Sequence, residues 1–231
     1  MAPDTMVRLA GLCKGFTKGR ESIAIFDHLD LSIPRGDFVA VMGPSGSGKT
    51  TLLNLLGGID RPDAGEIHVA GQRIEKMSEG ELARFRAANV GFIFQFYNLM
   101  PMLTAAQNVE LPLLLTKLRA KERAGRVATA LEVVNLGDRA KHYPREMSGG
   151  QQQRVAIARA IVSDPNLLLC DEPTGDLDRH SADEILTILQ LLKRDLGKTI
   201  VTVTHDPAAA RYARRIWHLD KGNFIEKDLA A

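Results

Sequence analysis

Residues 43–50 read Gly43-Pro-Ser-Gly-Ser-Gly-Lys49-Thr50. They follow the apolar run Phe38-Val-Ala-Val-Met42 and lead into Thr51-Leu-Leu-Asn-Leu-Leu56. The first run has the length and β-branched content of a buried strand. The second predicts a helix from about Lys49 to Leu56. A Gly-rich loop closing on Lys and Thr, set between a strand and a helix, is the phosphate-binding pattern G-x-x-x-x-G-K-S/T. Glycines let the backbone curl so that successive N–H groups point inward as an anion nest. The helix that follows adds its positive N-terminal end. Lys49 supplies a compact charge to β- and γ-phosphates, and the Thr50 hydroxyl is placed to ligate Mg²⁺. A flexible Gly/Ser turn is the plain alternative, and the flanking strand and helix argue against it. Alone, the loop specifies a nucleoside triphosphatase without choosing among ATPases, GTPases and kinases.

Outward from the loop, strand and helix signals alternate, which predicts a mainly parallel sheet in an α/β domain. Asp63-Ala-Gly-Glu66 reads as a hairpin turn before a strand at 67–69, and 90–94 is a short apolar strand. From about residue 98 to 162 the pattern turns helical. Ala124, Val127, Leu131 and Val134 recur at three- and four-residue steps, with Arg123 and Arg126 opposite. This stretch reads as a helical insertion. Residues 167–170 form a buried strand. Ile185, Leu189, Leu192 and Leu196 give a helix stripe closed by Gly197. Residues 199–204 are a β-branched strand, and 216–219 and 224–226 flank Lys221-Gly-Asn223 as a hairpin. No internal repeat or low-complexity tract interrupts the chain.

Composition narrows the partners. The 231 residues are 45% hydrophobic, enough for one sizeable core divided between two lobes. A formal net charge of +2 gives no support to nucleic acid as a partner. Cys13 and Cys170 stand far apart without a metal-binding spacing, so no disulfide framework or zinc site follows, and a reduced, cytoplasmic compartment is expected. Residues 1–8 lack the apolar core of a signal peptide. The most apolar stretch, Leu111 to Leu115, holds Pro112, is followed by Lys117 and Arg119, and is far too short to span a bilayer.

Leu167-Leu-Leu-Cys-Asp171-Glu172 is an apolar strand ending in two carboxylates. An acid at a strand tip beside a phosphate loop holds Mg²⁺, a role suited to Asp171, while Glu172 is placed to polarise an attacking water as general base. Met147-Ser-Gly-Gly-Gln-Gln152 precedes a strongly helical stretch at 153–161. A Ser and two glycines at a helix start make a second anion-binding end. One chain with one lysine-bearing loop hardly needs two cradles. The economical reading is that the second serves a nucleotide held by another copy.

The ordered set Gly43–Thr50, Gln95, Ser148-Gly-Gly-Gln151, Asp171-Glu172, Asp176-Leu-Asp178 and His205 resembles the ATPase cassette of ABC transporters over nearly the whole chain. The resemblance implies one cassette, 1–231: a RecA-like P-loop NTPase core of α/β type at 6–97 and 163–231, carrying an antiparallel β subdomain, with a helical subdomain at 98–162. It implies a head-to-tail homodimer with two ATP molecules, each between one phosphate loop and the opposing signature. Gly43, Pro44, Ser45, Gly46, Ser47, Gly48, Lys49, Thr50 and Thr51 would hold ATP from one side, and Ser148, Gly149, Gly150, Gln151 and Asp178 would belong to the crossing side. Gln95 would contact Mg²⁺ and the attacking water, and Thr50 and Asp171 would ligate Mg²⁺. His205 would meet the γ-phosphate beside Lys49 and Glu172. Met147 stands where Leu is usual, a change of nearly equal volume. The family stacks an N-terminal aromatic on adenine. Phe16 is the best match and Phe26 the competitor, which better fits a core position. His28, His68, His142, His180 and His218 have no such context and read as structural or exposed.

Finer similarity lies in Leu55-Leu-Gly-Gly-Ile-Asp60, Phe92-Ile-Phe-Gln-Phe96-Tyr-Asn-Leu99 and Asp171-Glu-Pro-Thr-Gly175-Asp-Leu-Asp178. These resemble the branch with the lipoprotein-releasing, macrolide-efflux and cell-division ATPases. It implies integral membrane permease subunits on separate chains, at the cytoplasmic face of a bacterial plasma membrane. Lipoprotein release or efflux is the leading role. The alternative is a mechanotransmission ATPase regulating enzymes outside the membrane. DNA-repair and translation ATPases fit less well, lacking here a long coiled-coil insertion or a second cassette. The apolar, Met-rich stretch from Phe96 to Leu103 reads as a docking cleft for the permease, with Tyr97 and Leu99 as the expected exposed contacts. Strand-like alternation would expose Phe96 and Asn98 instead.

Overall fold

The computed structural model describes residues 4–18, 21–220 and 222–228. Its centre is β3 (Phe38–Met42), an apolar run whose alternate residues face two different cores. Phe38 and Ala40 join one buried cluster, and Val39 and Val41 join the other. A strand covered on both faces needs apolar residues at every position, which is why the run is continuous. β7 (Leu167–Asp171) and β8 (Thr199–Val203) divide in the same way.

These strands lie in a six-stranded sheet completed by β6 (Val90–Ile93), β9 (Arg215–Asp220) and β10 (Asn223–Asp228), in the order β10-β9-β3-β8-β7-β6. Every pairing is parallel except β9 with β10. A four-stranded antiparallel sheet stands beside it. It consists of β1 (Thr5–Lys18), β2 (Glu21–Pro34), β4 (Ala64–Val69) and β5 (Gln72–Arg73), in the order β2-β1-β4-β5. Helix α1 (Lys49–Leu56) buries Leu52, Leu53, Leu55 and Leu56 in the core shared with that sheet. The other core packs α3 (Ala105–Glu110), α4 (Ala120–Val133), α5 (Gly149–Ile161) and α6 (Arg179–Leu196) with the opposite face of the parallel sheet. Helices α3 to α5 enter between β6 and β7. The fold is a P-loop α/β core with an antiparallel sheet attached.

Several expectations need correction. Residues 64–66 are not a hairpin turn but part of β4, paired with β1 through Ala10 opposite Glu66 and Cys13 opposite Ala64. Gly65 makes this possible. Its φ is +91°, and an added Cβ would lie 2.4 Å from the Gly11 carbonyl oxygen. The true turn is Ala70-Gly71, both left-handed, between β4 and β5. Helix α2 (Glu79–Asn89) was not anticipated, and neither were the first two strands. The helix expected from 153 starts at Gly149, with Ser148 as its N-cap. Gly197 caps α6 in the left-handed conformation as expected. Strands β9 and β10 pair as the expected hairpin, whose Lys221 lies outside the described residues. Cys13 and Cys170 are free thiols. Among the described residues no helix is long and apolar enough to cross a membrane.

Candidate functional site: a phosphate-binding cleft and a second helix end

The loop from β3 to α1 is shaped by its glycines and closed by its lysine. A Cβ on Gly43 would lie 2.3 Å from the Leu219 carbonyl oxygen of β9, so only glycine lets the loop leave the sheet here. Gly48 caps α1 at φ +100° with no side-chain bond, which leaves the first N–H groups of the helix facing the loop. Lys49 Nζ donates to the carbonyls of Gly43 and Pro44, at 2.9 and 2.8 Å. The ammonium is thus held at the mouth of its own loop. Ser47 N–H donates back to Pro44 O at 3.2 Å and closes the turn.

At the tip of β7 the two carboxylates part. Asp171 faces α1, where the Thr50 hydroxyl lies 3.3 and 3.5 Å from its oxygens. Burial pushes the Asp171 carboxyl above the ordinary range, and the Glu172 charge adds to this, against the Thr50 hydrogen bond and the Lys49 charge. Glu172 adopts φ +45° while its N–H keeps its bond to Val203 O at 3.0 Å. Its Oε2 meets His205 Nδ1 at 2.8 Å. An added Cβ on Gly175 would lie 3.1 Å from Gln95 Nε2 and 3.3 Å from Glu172 Oε2, so Gln95 lies on the same rim. Gln95 also donates to Asp176 at 3.4 Å.

A cleft of about 610 Å³ gathers Gly43, Ser45, Gly46, Gly48, Lys49, Thr50 and Thr51 with Phe16, Glu172 and His205. Phe16 is 46% exposed at the cleft, whereas Phe26 is 2% exposed in the core. Lys14 Nζ stands 5.1 Å from the Phe16 ring centroid.

Ser148, Gly149, Gly150, Gln151 and Asp178 do not line this cleft. Ser148 and Gln151 cap α5 reciprocally, at 3.0 and 3.3 Å. A Cβ on Gly149 would meet the Tyr97 hydroxyl at 2.8 Å, and one on Gly150 would meet Ser181 Oγ at 2.8 Å. Asp178 caps α6 by accepting from Ser181 N and Oγ at 3.0 and 2.8 Å. The Ser181 backbone bond leads the contacts that hold its carboxyl below the ordinary range.

The sequence matches the family model described as ABC transporter over residues 26–175. The chain belongs to the ABC transporter family. It is an ATP-binding, ATP-hydrolysing cassette of that family. It is 44% identical over 223 residues to the lipoprotein-releasing system ATP-binding protein LolD of Chromohalobacter salexigens, covering 96% of this chain and 94% of that one. It is 46% identical over 220 residues to the macrolide export ATP-binding/permease protein MacB 1/2 of Paracoccus denitrificans, covering 95% of this chain but 33% of that one. Among solved structures, the dimeric post-hydrolysis state of the cassette MJ0796 bound to ADP and Pi superposes with a TM-score of 0.89. That pair shares 41% identity, with 98% of this chain and 100% of the other covered.

Two residues of this cassette escaped the sequence reading. Gln153 is fully buried in α5, and its Nε2 donates to Phe94 O at 3.2 Å and Pro173 O at 2.7 Å. It ties the segment carrying Gln95 to the one carrying Glu172. Arg159 donates to Tyr97 O at 2.8 Å and Asn98 O at 2.5 Å, holding two residues with positive φ. Burial lowers its pKa. Nothing in the Gln151-Gln152-Gln153 run distinguishes the third glutamine. The choice of exposed contacts after Gln95 is also corrected. Tyr97 and Leu99 are half-buried, Tyr97 against Gly149 and Leu99 against the core. Phe96, at 71%, and Asn98 are the exposed pair, joined by Met100 and Met102.

Proposed function

We propose that two copies of this chain close head to tail around two Mg²⁺–ATP molecules and drive a membrane permease carried on separate chains. The carrying observation is the placement of the Ser148 helix end outside the cleft of its own chain. It is a built anion-binding terminus, and a partner's nucleotide is what it suits. The solved dimer of the similar cassette MJ0796, described as bound to ADP and Pi, supports this reading. MacB, whose name joins ATP-binding to permease in one protein, supports the permease partnership.

In this reading the loop N–H groups of 43–50 and the α1 terminus hold the β- and γ-phosphates. Lys49 exchanges its two carbonyl contacts for phosphate oxygens. Phe16 offers its exposed face to adenine. Thr50 and Asp171, with Gln95, present hard oxygen donors that fit Mg²⁺. The ion, when bound, supplies charge neutralisation on the phosphates. Glu172 takes a proton from the attacking water, and His205 holds the Glu172 carboxylate while facing the γ-phosphate. Ser148, Gly149, Gly150 and Gln151 of the opposing copy complete the phosphate cage, with Asp178 in the loop that crosses between copies. Gln95, on the rim, links nucleotide to the exposed Phe96, Met100 and Met102, where a cytoplasmic helix of the permease docks. Aromatic and Met side chains give such a surface its contact area and adaptability. The subunit then works at the cytoplasmic face of a bacterial plasma membrane, in lipoprotein release or efflux.

Lys49→Ala tests the first requirement. Mg²⁺-dependent ATP hydrolysis by the purified chain is expected to collapse, and wild-type turnover in that variant would sink the assignment.

A further inference from the structure

The corner between the 3₁₀ turn Leu111–Leu115 and the start of α4 is not used by the proposed ATP cycle. Leu113 anchors the turn at 0% exposure, yet the next two residues point outward, Leu114 at 54% and Leu115 at 86%. Two adjacent exposed leucines on a turn contribute nothing to the core. The residues that follow carry charge of one sign. Lys117, Arg119, Lys121 and Arg126 are exposed, and none forms an ion pair among the described residues. The neighbouring Arg123 is neutralised by Glu110 at 2.8 Å. The one acid within the run, Glu122, accepts from the Arg119 backbone N–H at 2.7 Å. Four cations against one carboxylate leave a local excess of three, in a chain whose total is +2. Lys117, Arg119 and Arg126 line an open concavity of about 640 Å³.

We propose that this corner binds the anionic lipid surface of the inner leaflet. Leu114 and Leu115 enter the boundary between headgroups and acyl chains, and the four cations hold lipid phosphates. Apolar side chains ringed by long basic ones suit that boundary, where the stems stay in the apolar zone and the charges reach the headgroups. Charge complementarity favours the lipid, because cations of one sign beside two exposed leucines match an anionic headgroup layer over an apolar one. Position agrees. Pro112 of the same turn and Asn98 of the docking stretch line one cleft of about 270 Å³, so the corner adjoins the surface proposed for the permease. The inference rests on the reading of this chain as a permease-bound subunit.

The test is flotation of the full chain with vesicles of phosphatidylglycerol and phosphatidylcholine, against phosphatidylcholine alone, without permease. Binding to the anionic vesicles only is expected. It should disappear near 1 M salt, where the Debye length is about 3 Å. The triple variant Lys117→Glu, Arg119→Glu, Arg126→Glu should lose at least about tenfold in vesicle affinity. Leu114→Ser with Leu115→Ser, which keeps the charge and alters only exposed side chains, should lose several-fold. Both variants should hydrolyse ATP as wild type, which shows that they fold. Equal binding to neutral vesicles, or undiminished binding by both variants, overturns the proposal. So does a triple variant that still floats but is no longer captured by the permease, since the corner then belongs to a protein partner. Failure here leaves ATP hydrolysis and dimerisation untouched, so it is distinguishable from failure of the proposed function.

Discussion

At Glu172 the strand β7 makes its decisive bend. A non-glycine residue at φ +45° carries about 1–2 kcal/mol of steric cost. The bend sends Asp171 toward Thr50 and Glu172 toward His205, so two adjacent carboxylates face different partners, as the proposed division of roles requires. Glu172→Gln keeps the size and hydrogen-bonding reach of the side chain but removes the base. Nucleotide binding should persist while turnover drops by about 10²–10⁴-fold, read by a filter-binding assay beside phosphate release. Wild-type release would remove Glu172 from the chemistry. Asp171 gives a prediction with a sign. Its folded pKa lies above the ordinary value, so it is neutral in both folded and unfolded chains well below pH 4, and ionisation there costs nothing. As the pH rises through the raised value, the fold must carry a partly desolvated charge. Asp171→Asn should therefore match wild type in acid and melt higher near neutrality, while losing Mg²⁺-dependent turnover. Thermal melts across that range check it, and a variant no more stable at neutral pH contradicts it.

Among the elements, the proposal gives β6 and the segment that follows the task of carrying hydrolysis outside the cleft. Residues 94–98 are fastened to α5 by Gln153 at Phe94, by Arg159 at Tyr97 and Asn98, and by Tyr97 against Gly149. The exposed side chains between these anchors and just beyond them are then free for a partner. Phe96→Ser with Met102→Ser should leave folding and basal hydrolysis intact. It should weaken permease capture from detergent extracts, because the two side chains are 71% and 78% exposed. Normal capture and coupled activity in the reconstituted complex would rule the surface out. These elements also show what a sequence reveals. Strands β3, β7 and β8 were legible because burial on both faces forces an unbroken apolar run. Strands β1 and β2 were not, because their pairing shifts register four times, which breaks any steady two-residue period. Helix α2 buries only Leu82 and Phe85 in eleven residues, too weak a stripe to see, although Ser78 and Glu81 spelled its capping box. The phosphate loop is contiguous and was readable whole. The Gln153 bridge spans 59 residues to Phe94 and has no local signature.

On the scale of the molecule, the parallel sheet brings the phosphate loop, Glu172 and His205 to one cleft, at the ends of β3, β7 and β8, with Asp171 against Thr50 beside it. The Ser148 helix end is built just as completely and lies apart from it. In the proposed head-to-tail dimer, each of these two ends would meet the other in a second copy of the chain. This arrangement separates lesions in a way that a self-contained site does not. Lys49→Ala damages the cleft of the chain that carries it, and Ser148→Arg damages the site of the opposite copy. In a mixed dimer both lesions fall in one site and the other is intact. The measurement is ATP hydrolysis by purified, verified heterodimers of the two variants. Activity should return well above that of either mutant homodimer; heterodimers as inactive as both parents would show that each chain builds its own site.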